Sequence, residues 1–189
     1  MNKTKSQMNK VVLIVAFIVT VLLLAAMFGN YYLKQNTKKH SPQAIAEFSD
    51  SNITMKIVYC QPYRKGRLLF GAEQEGALQP FGKYWRLGAN EATTIETSRA
   101  ITIGSETLPA GKYSIYAFPG KDSWAFGINK VSNRWGATEP DYTKDLFKVR
   151  VPVTYTQSSL EQFTISIEKN KIVFWWDTSK TELSYTIIE

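Results

Sequence analysis

The sequence has 189 residues, of which 44% are hydrophobic and 13% aromatic, and its formal net charge is +7. This composition excludes a disordered or fibrous chain, because a domain of this size can bury a substantial apolar core. The sequence contains one cysteine, Cys60, and one histidine, His40. It therefore excludes an internal disulfide framework, a cysteine-based zinc site and a multi-histidine metal centre, and we predict neither a metal nor a cofactor.

The positive charge is concentrated at the N-terminus. Six of the 23 Lys and Arg residues and none of the 16 Asp and Glu residues lie before Ser41, so residues 1–41 carry a net charge of +6. Residues 42–189 carry a net charge of only +1. A nucleic-acid-binding protein concentrates positive charge on its folded domain, where it replaces phosphate counterions. The charge distribution therefore argues against nucleic acid as a partner.

An apolar run extends from Val11 to Phe28, and Thr20 is its only polar residue. At about 1.5 Å per residue, a helix of this length covers roughly 27 Å, close to a hydrocarbon core of about 30 Å. The hydroxyl of Thr20 can hydrogen-bond to a backbone carbonyl one turn back. We predict a short basic tail over residues 1–10 and a transmembrane signal anchor over residues 11–33.

A cleaved signal peptide is the alternative to a retained anchor. The apolar region of a signal peptide usually spans about 7–15 residues, which is shorter than this run, and Ala25-Ala26-Met27 is a poor cleavage site. Three lysines lie on each side of the run, so the positive-inside rule favours a cytoplasmic N-terminus only through the terminal amine. We predict that residues 34–41 form a polar tether to a domain that lies outside the cytoplasm.

From residue 42 onward, apolar residues recur at every second position, which is typical of half-buried β-strands. Gly- and Pro-containing turns separate about ten short strands, and we predict no amphipathic helix after the anchor. The pattern predicts an all-β domain over residues 42–189, an antiparallel β-sandwich or jelly roll. The predicted strands are Ala44–Phe48, Ile53–Cys60, Thr93–Ser98, Ala100–Ile103, Lys112–Phe118, Trp124–Asn129, Phe147–Thr156, Phe163–Glu168, Ile172–Trp176 and Leu183–Ile188.

Two segments of this region form specific motifs, WRLGANEAT at residues 85–93 and LPAGKY at residues 108–113. Together with several shorter segments, they resemble the bacterial domain-of-unknown-function family DUF2911. The resemblance covers roughly residues 41–189 and implies an envelope-facing β domain, here in the periplasm and anchored in the bacterial inner membrane. The family has no established activity, so no catalytic residue is carried over. The other matching segments are Tyr59-Cys60-Gln61-Pro62, Lys65-Gly66-Arg67, Pro80–Tyr84, Asn129-Lys130, Trp135-Gly136, and Tyr142 with Asp145.

The block at residues 85–93 also contains the first candidate binding residues. Arg86, Asn90 and Glu91 place a guanidinium, an amide and a carboxylate within six positions. A guanidinium fork binds a carboxylate or phosphate well, and Asn and Glu side chains could fix its geometry. The alternative is an internal network in which Arg86 pairs with Glu91 and holds the loop on the sandwich.

Two long loops, residues 62–82 and 133–142, contain the other candidates, because binding residues concentrate on loops of a rigid scaffold. Arg64 and Arg67 lie in the first loop and could form an anion or headgroup site. Trp135 lies in the second and could stack on a ligand. Solvated loop residues and core packing are the alternative interpretations.

The same residue types limit the reactions that the domain could catalyse. The domain has no histidine, so a Ser-His-Asp triad is excluded, and Cys60 lacks a base and is expected to be a buried small residue. Carboxylate pairs such as Glu91 with Asp145 could perform acid–base chemistry if they lie close together. We therefore predict a binding module for a polar or anionic small ligand or an envelope protein. The alternative is a hydrolase- or lyase-type enzyme that uses carboxylate and arginine chemistry on a carbohydrate-like substrate.

Overall fold

The computed structural model describes the backbone of residues 2–188 and the side chains of residues 10–188. The chain divides after Lys39 into a helical unit and a β unit. The helical unit is one helix, α1, from Asn2 to His40. It is long and apolar enough to cross a membrane, a property shared by membrane anchors and N-terminal signal sequences. The Thr20 hydroxyl donates to the carbonyl of Ala16 at 2.9 Å, as predicted.

Helix α1 continues through most of the segment predicted as a polar tether. Residues 34–40 are helical. Lys34, Lys38 and Lys39 have good helix propensity, and no Gly or Pro interrupts this stretch. The helix ends at His40 because Pro42 disfavours the helical conformation of the residue before it.

Among the residues that the structure describes, the β unit contains eleven strands, of which nine form one antiparallel sheet. The strands are β1 (Gln43–Ser49), β2 (Thr54–Cys60), β3 (Phe70–Gly71), β4 (Gln79–Pro80), β5 (Thr94–Thr97), β6 (Ile101–Ile103), β7 (Glu106–Leu108), β8 (Gly111–Phe118), β9 (Ser123–Asn129), β10 (Asp145–Glu168) and β11 (Lys171–Ile187). The order in the sheet is β1-β2-β5-β8-β9-β10-β11-β6-β7, and β3 and β4 form a separate parallel pair within the long loop after β2. Short 3₁₀ turns occupy Glu73–Glu75 and Tyr142–Lys144.

Strand β10 connects the two halves of the sheet. Its residues 145–152 pair with β9, and its residues 153–168 pair with β11. The halves pack face to face, because the Phe126 ring on β9 lies 4.7 Å from the Phe174 ring on β11, and Tyr59 on β2 lies 5.7 Å from Phe163 on β10. This packing confirms the predicted antiparallel β-sandwich.

Two predicted strand pairs are single long strands. Residues 147–156 and 163–168 both belong to β10, and residues 172–176 and 183–187 both belong to β11. The polar residues that separate the predicted strands sit where the register shifts between Tyr155 and Leu160 and again before Thr164. Such bulges let a strand continue through residues that do not alternate. The sequence pattern did not predict β3, β4 or β7, which have only two or three residues each.

Tryptophan side chains form the centre of the core. Trp85, Trp124 and Trp176 are each at most 2% exposed, and the ring of Trp85 lies 5.4 Å from Trp124 and 5.8 Å from Trp176. Trp175 points to the opposite face of β11 and is half-buried, as expected for adjacent strand residues. Every residue of this core lies between residues 44 and 187, so the β unit has a complete hydrophobic core of its own.

Candidate functional site

The loop at residues 85–93 has an unusual backbone. Leu87 and Asn90 have positive φ angles of 53° and 60°, and Gly88 has a φ of 144°. A Cβ atom on Gly88 would lie 2.6 Å from the carbonyl oxygen of Cys60 at the end of β2, so only glycine permits this approach. The Thr93 hydroxyl closes the loop by donating to the Leu87 carbonyl at 2.6 Å. Left-handed conformations at non-glycine residues cost energy and concentrate at functional sites.

The loop at residues 133–142 is hydrogen-bonded to the loop at residues 85–93. The Gly136 amide donates to the Asn90 carbonyl at 3.0 Å, and the Ala92 amide donates to the Arg134 carbonyl at 3.2 Å. These bonds bring Glu91 and Trp135 opposite each other as an isolated antiparallel bridge. Two loops that are 40 residues apart in the sequence therefore form one rigid wall.

Gly136 is the point of closest contact between these loops. A Cβ atom there would lie 2.6 Å from Cδ of Arg86 and 2.9 Å from the backbone nitrogen of Ala92. The Arg86 guanidinium donates to the Asn90 carbonyl at 3.1 Å through Nη1. Burial lowers the pKa of Arg86, and the neighbouring Tyr84 and Cys60 groups oppose this shift.

A cavity of about 560 Å³ lies beside this wall. Its size is within the range of about 300–1,000 Å³ that is typical of small-molecule sites. Glu91 is the one carboxylate among the described residues of its lining, and Lys112 and Arg134 are the cations there. The polar lining includes Gln43, Cys60, Glu91, Lys112, Asn133 and Arg134.

Two side chains of the cavity lining, Lys112 and Cys60, differ in their exposure and in their partners. The ammonium of Lys112 lies 3.9 Å from the carboxylate of Glu96, a long ion pair, and its side chain is 51% exposed. The Cys60 thiol is 3% exposed and lies 3.8 Å from Oε2 of Glu91, to which it donates. Cys60 is therefore buried, as predicted, although the fold also brings the cationic Arg86 close to it.

Arg134 is held rigidly in the wall of the cavity. Its Nη1 donates to the Thr138 carbonyl at 2.6 Å, and its Nη2 donates to the Tyr84 hydroxyl at 2.7 Å. Its guanidinium also lies 5.6 Å from the centre of the Tyr84 ring, and burial raises the pKa of that tyrosine. The buried Nε of Arg134 has no hydrogen-bond partner among the described residues. Arg134 also lines a second cavity of about 310 Å³, whose wall includes Trp135.

The predicted site residues fall into two groups. Arg86, Asn90 and Glu91 lie in the loop that meets Trp135, a contact that the sequence did not predict, and Asn90 is only 7% exposed, with its amide donating to the Ser41 carbonyl at 3.4 Å. Arg86 and Asn90 therefore position the loop, and Glu91 lines the cavity. Sequence reasoning missed Lys112 and Arg134, although both lie in or beside segments that carry the family resemblance.

Arg64 and Arg67 lie in the other long loop and outside the cavity lining. Nη1 of Arg64 forms an ion pair with Asp177 at 2.8 Å and also donates to the Ser159 hydroxyl at 3.3 Å. The guanidinium of Arg67 donates to the carbonyls of Arg64 and Tyr63. Arg64 therefore attaches this loop to β10 and β11, whereas the bonds of Arg67 lie within the loop.

Asp145, the suggested partner of Glu91 for acid–base chemistry, has other neighbours. It accepts hydrogen bonds from Tyr116 and Asn129, and its carboxylate lies 3.4 Å from the Lys148 ammonium. Burial, and then the bond to Asp145, raise the pKa of Tyr116. Asp145 does not line the cavity that contains Glu91.

Among the described residues, no group of three His, Cys, Asp or Glu side chains could hold a metal ion.

The family model for proteins of unknown function DUF2911 matches residues 41–185. The chain belongs to the DUF2911 family. The match covers the β unit almost completely and confirms the resemblance inferred from the sequence. No curated protein and no solved structure matches the chain. In this DUF2911 domain, the segments that carry the resemblance meet at the cavity, where they supply Cys60, Glu91 and Lys112.

Proposed function

We propose that this protein is a single-pass membrane protein that holds its β domain in the periplasm. Helix α1 supports the anchoring, because its 39 residues extend about 58 Å at a rise of about 1.5 Å per residue and exceed the hydrocarbon core. The side chains of residues 11–33 are exposed, and no polar face interrupts residues 11–28. A short basic tail before the apolar run, here residues 1–10, is the usual arrangement of a signal anchor with an external C-terminal domain.

The anchoring has a direct test. Membranes from cells that produce the full-length chain are washed with alkaline carbonate, and spheroplasts are treated with external protease. We expect the chain to stay with the membrane and its β domain to be digested in intact spheroplasts. A chain released by carbonate, or a domain protected until the spheroplasts are lysed, would contradict this topology.

We also propose that the 560 Å³ cavity binds a small polar ligand with one anionic group. The charge of the cavity lining carries this proposal, because the lining contains one carboxylate, Glu91, and two cations, Lys112 and Arg134. Lys112 is available to a ligand, because its ion pair with Glu96 is long and its side chain is half exposed. Rigid, mutually bonded loops around the cavity also favour binding, because little ordering is required when the ligand enters.

A melting-temperature screen tests this proposal. The panel contains sugars, sugar acids, phosphates, amino acids, lipid headgroups and peptidoglycan fragments. At 100 times its Kd, a ligand stabilises the folded state by about 2.7 kcal/mol, which corresponds to roughly 5–11 °C for a domain of this size. We expect anionic members to raise the melting temperature, and Lys112→Met to reduce that rise. An unchanged melting temperature across the panel would refute the ligand and favour a protein partner, to be sought by crosslinking.

A further inference from the structure

Two cavities adjoin at Arg134, and their linings differ. The larger cavity is lined mainly by polar and charged side chains. The smaller one, of about 310 Å³, includes the half-buried ring of Trp135 together with Val131 and Pro140, and its charged side chains are Arg134, Lys144, Glu139 and Asp141. A ligand that fills both has a polar, anionic part in the larger cavity and an uncharged part with a flat apolar face beside Trp135.

The side chains of the larger cavity suit the recognition of hydroxyl groups. Gln43 and Asn133 each offer a carbonyl oxygen and an amino group, Thr94 offers a hydroxyl, and Glu91 offers carboxylate oxygens. Side chains of this kind can accept from and donate to neighbouring hydroxyls on one molecule. Sugar rings combine such hydroxyls with an apolar face, which packs against a tryptophan ring.

The charges of the cavity select among anionic ligands. In the larger cavity, Lys112 and Arg134 exceed the single charge of Glu91 by one, whereas the smaller cavity adds two carboxylates, Glu139 and Asp141, and one lysine, Lys144. The anionic group of a ligand is therefore favoured in the larger cavity alone. This excess matches one carboxylate, whereas a phosphate monoester carries about −1.5 to −2 charges and would meet the repulsion of Glu91. The Nη atoms of Arg134 are engaged by Thr138 and Tyr84, so Lys112 is the cation whose donors can reach a ligand.

From these observations we infer that the ligand is an acidic saccharide that contains a uronic acid. Its carboxylate contacts Lys112, its hydroxyls contact the amide and hydroxyl side chains of the larger cavity, and an adjacent ring packs against Trp135. This inference rests on the proposed binding function and names the class of ligand for the same site.

Isothermal titration of the full-length protein in detergent micelles tests the inference with three probes. Galacturonosyl-galactose, which has one carboxylate, is the acidic disaccharide, galactobiose is its neutral counterpart, and inorganic phosphate is a simple anion. We expect galacturonosyl-galactose to bind at least tenfold more tightly than galactobiose or phosphate. Lys112→Met should weaken the binding of galacturonosyl-galactose about tenfold and leave that of galactobiose unchanged. Lys121→Met, the matched control, removes an exposed lysine outside the cavity lining and should change neither.

A second variant tests the contribution of the tryptophan ring. Trp135→Leu should weaken both disaccharides by a similar factor, whereas Trp135→Phe, which keeps an aromatic ring, should retain most of the affinity. If Trp135→Leu does not fold, the other two variants test the inference. Trp135→Phe should then keep most of the affinity for both disaccharides, whereas Lys112→Met should lose affinity for the acidic one only. Equal affinity for the acidic and neutral disaccharides would overturn the inference. Phosphate binding that depends on Lys112 without saccharide binding would overturn the saccharide class and leave the proposed function intact. If, in addition, no anionic compound of the melting-temperature panel raises the melting temperature, both the proposed ligand binding and the saccharide inference are refuted.

Discussion

The substitution Gly136→Ala tests whether contact between the two loops builds the cavity wall. The new Cβ atom would lie 2.9 Å from the backbone nitrogen of Ala92 and 2.6 Å from Cδ of Arg86. Ordinary contacts of a Cβ atom begin at 3.4 Å, so the backbones must separate by about half an ångström. Overpacking of this kind typically costs about 1–3 kcal/mol. Because one contact is with backbone, a change of side-chain rotamer cannot relieve the clash.

The assay is thermal and urea unfolding of a chain that starts at Ser41, followed by circular dichroism. For a domain of this size, a loss of about 1–3 kcal/mol lowers the melting temperature by roughly 2–12 °C. Ala137→Ser, an exposed neighbour, is the control and should change stability by no more than about 0.5 kcal/mol. A Gly136→Ala protein that is as stable as the control would refute the close packing of the loops.

Three further substitutions test how the surrounding charges and hydroxyls are held. Arg86→Ala should lower the free energy of unfolding by about 1–3 kcal/mol, because the Asn90 carbonyl loses its guanidinium donor; unchanged stability with lost binding would instead identify Arg86 as a recognition residue. Arg64→Met should cost about 1–2 kcal/mol, because it leaves Asp177 without its cation, and it should not change ligand affinity. The pKa of Tyr116 is raised above 10.0 in the folded state, so the unfolded chain ionises first. Stability should therefore be complete below about pH 10 and fall as the pH rises further, and Tyr116→Phe should flatten that slope in unfolding measurements between about pH 9 and pH 11.

The sequence carries strong local signals for the helix and for the individual strands. The apolar run Val11–Phe28 lies within α1, and the alternation of Ile53–Cys60 corresponds to β2, because burial on one face imposes a period of two. The polar residues between Thr156 and Gln162 concealed the continuity of β10. Their strand conformation depends on pairing with β11, which local patterns do not reveal.

The candidate site was only partly predictable for the same reason. Arg86, Asn90 and Glu91 lie within six positions, so their proximity was evident from the sequence. Lys112 and Arg134 join them through strand order and through loop contacts across more than 20 and 40 residues, respectively. The ion pair between Arg64 and Asp177 could not be predicted from the sequence either, since the two residues are 113 positions apart.

The most direct test of the central claim is a nuclear magnetic resonance titration of the ¹⁵N-labelled chain from Ser41 onward. The ligand is the anionic compound that gives the largest rise in melting temperature. Binding in the cavity predicts that chemical-shift changes concentrate at residues 58–60, 91–94, 112 and 132–135. Changes concentrated at Arg64 and Arg67, or spread without relation to the cavity, would contradict the account.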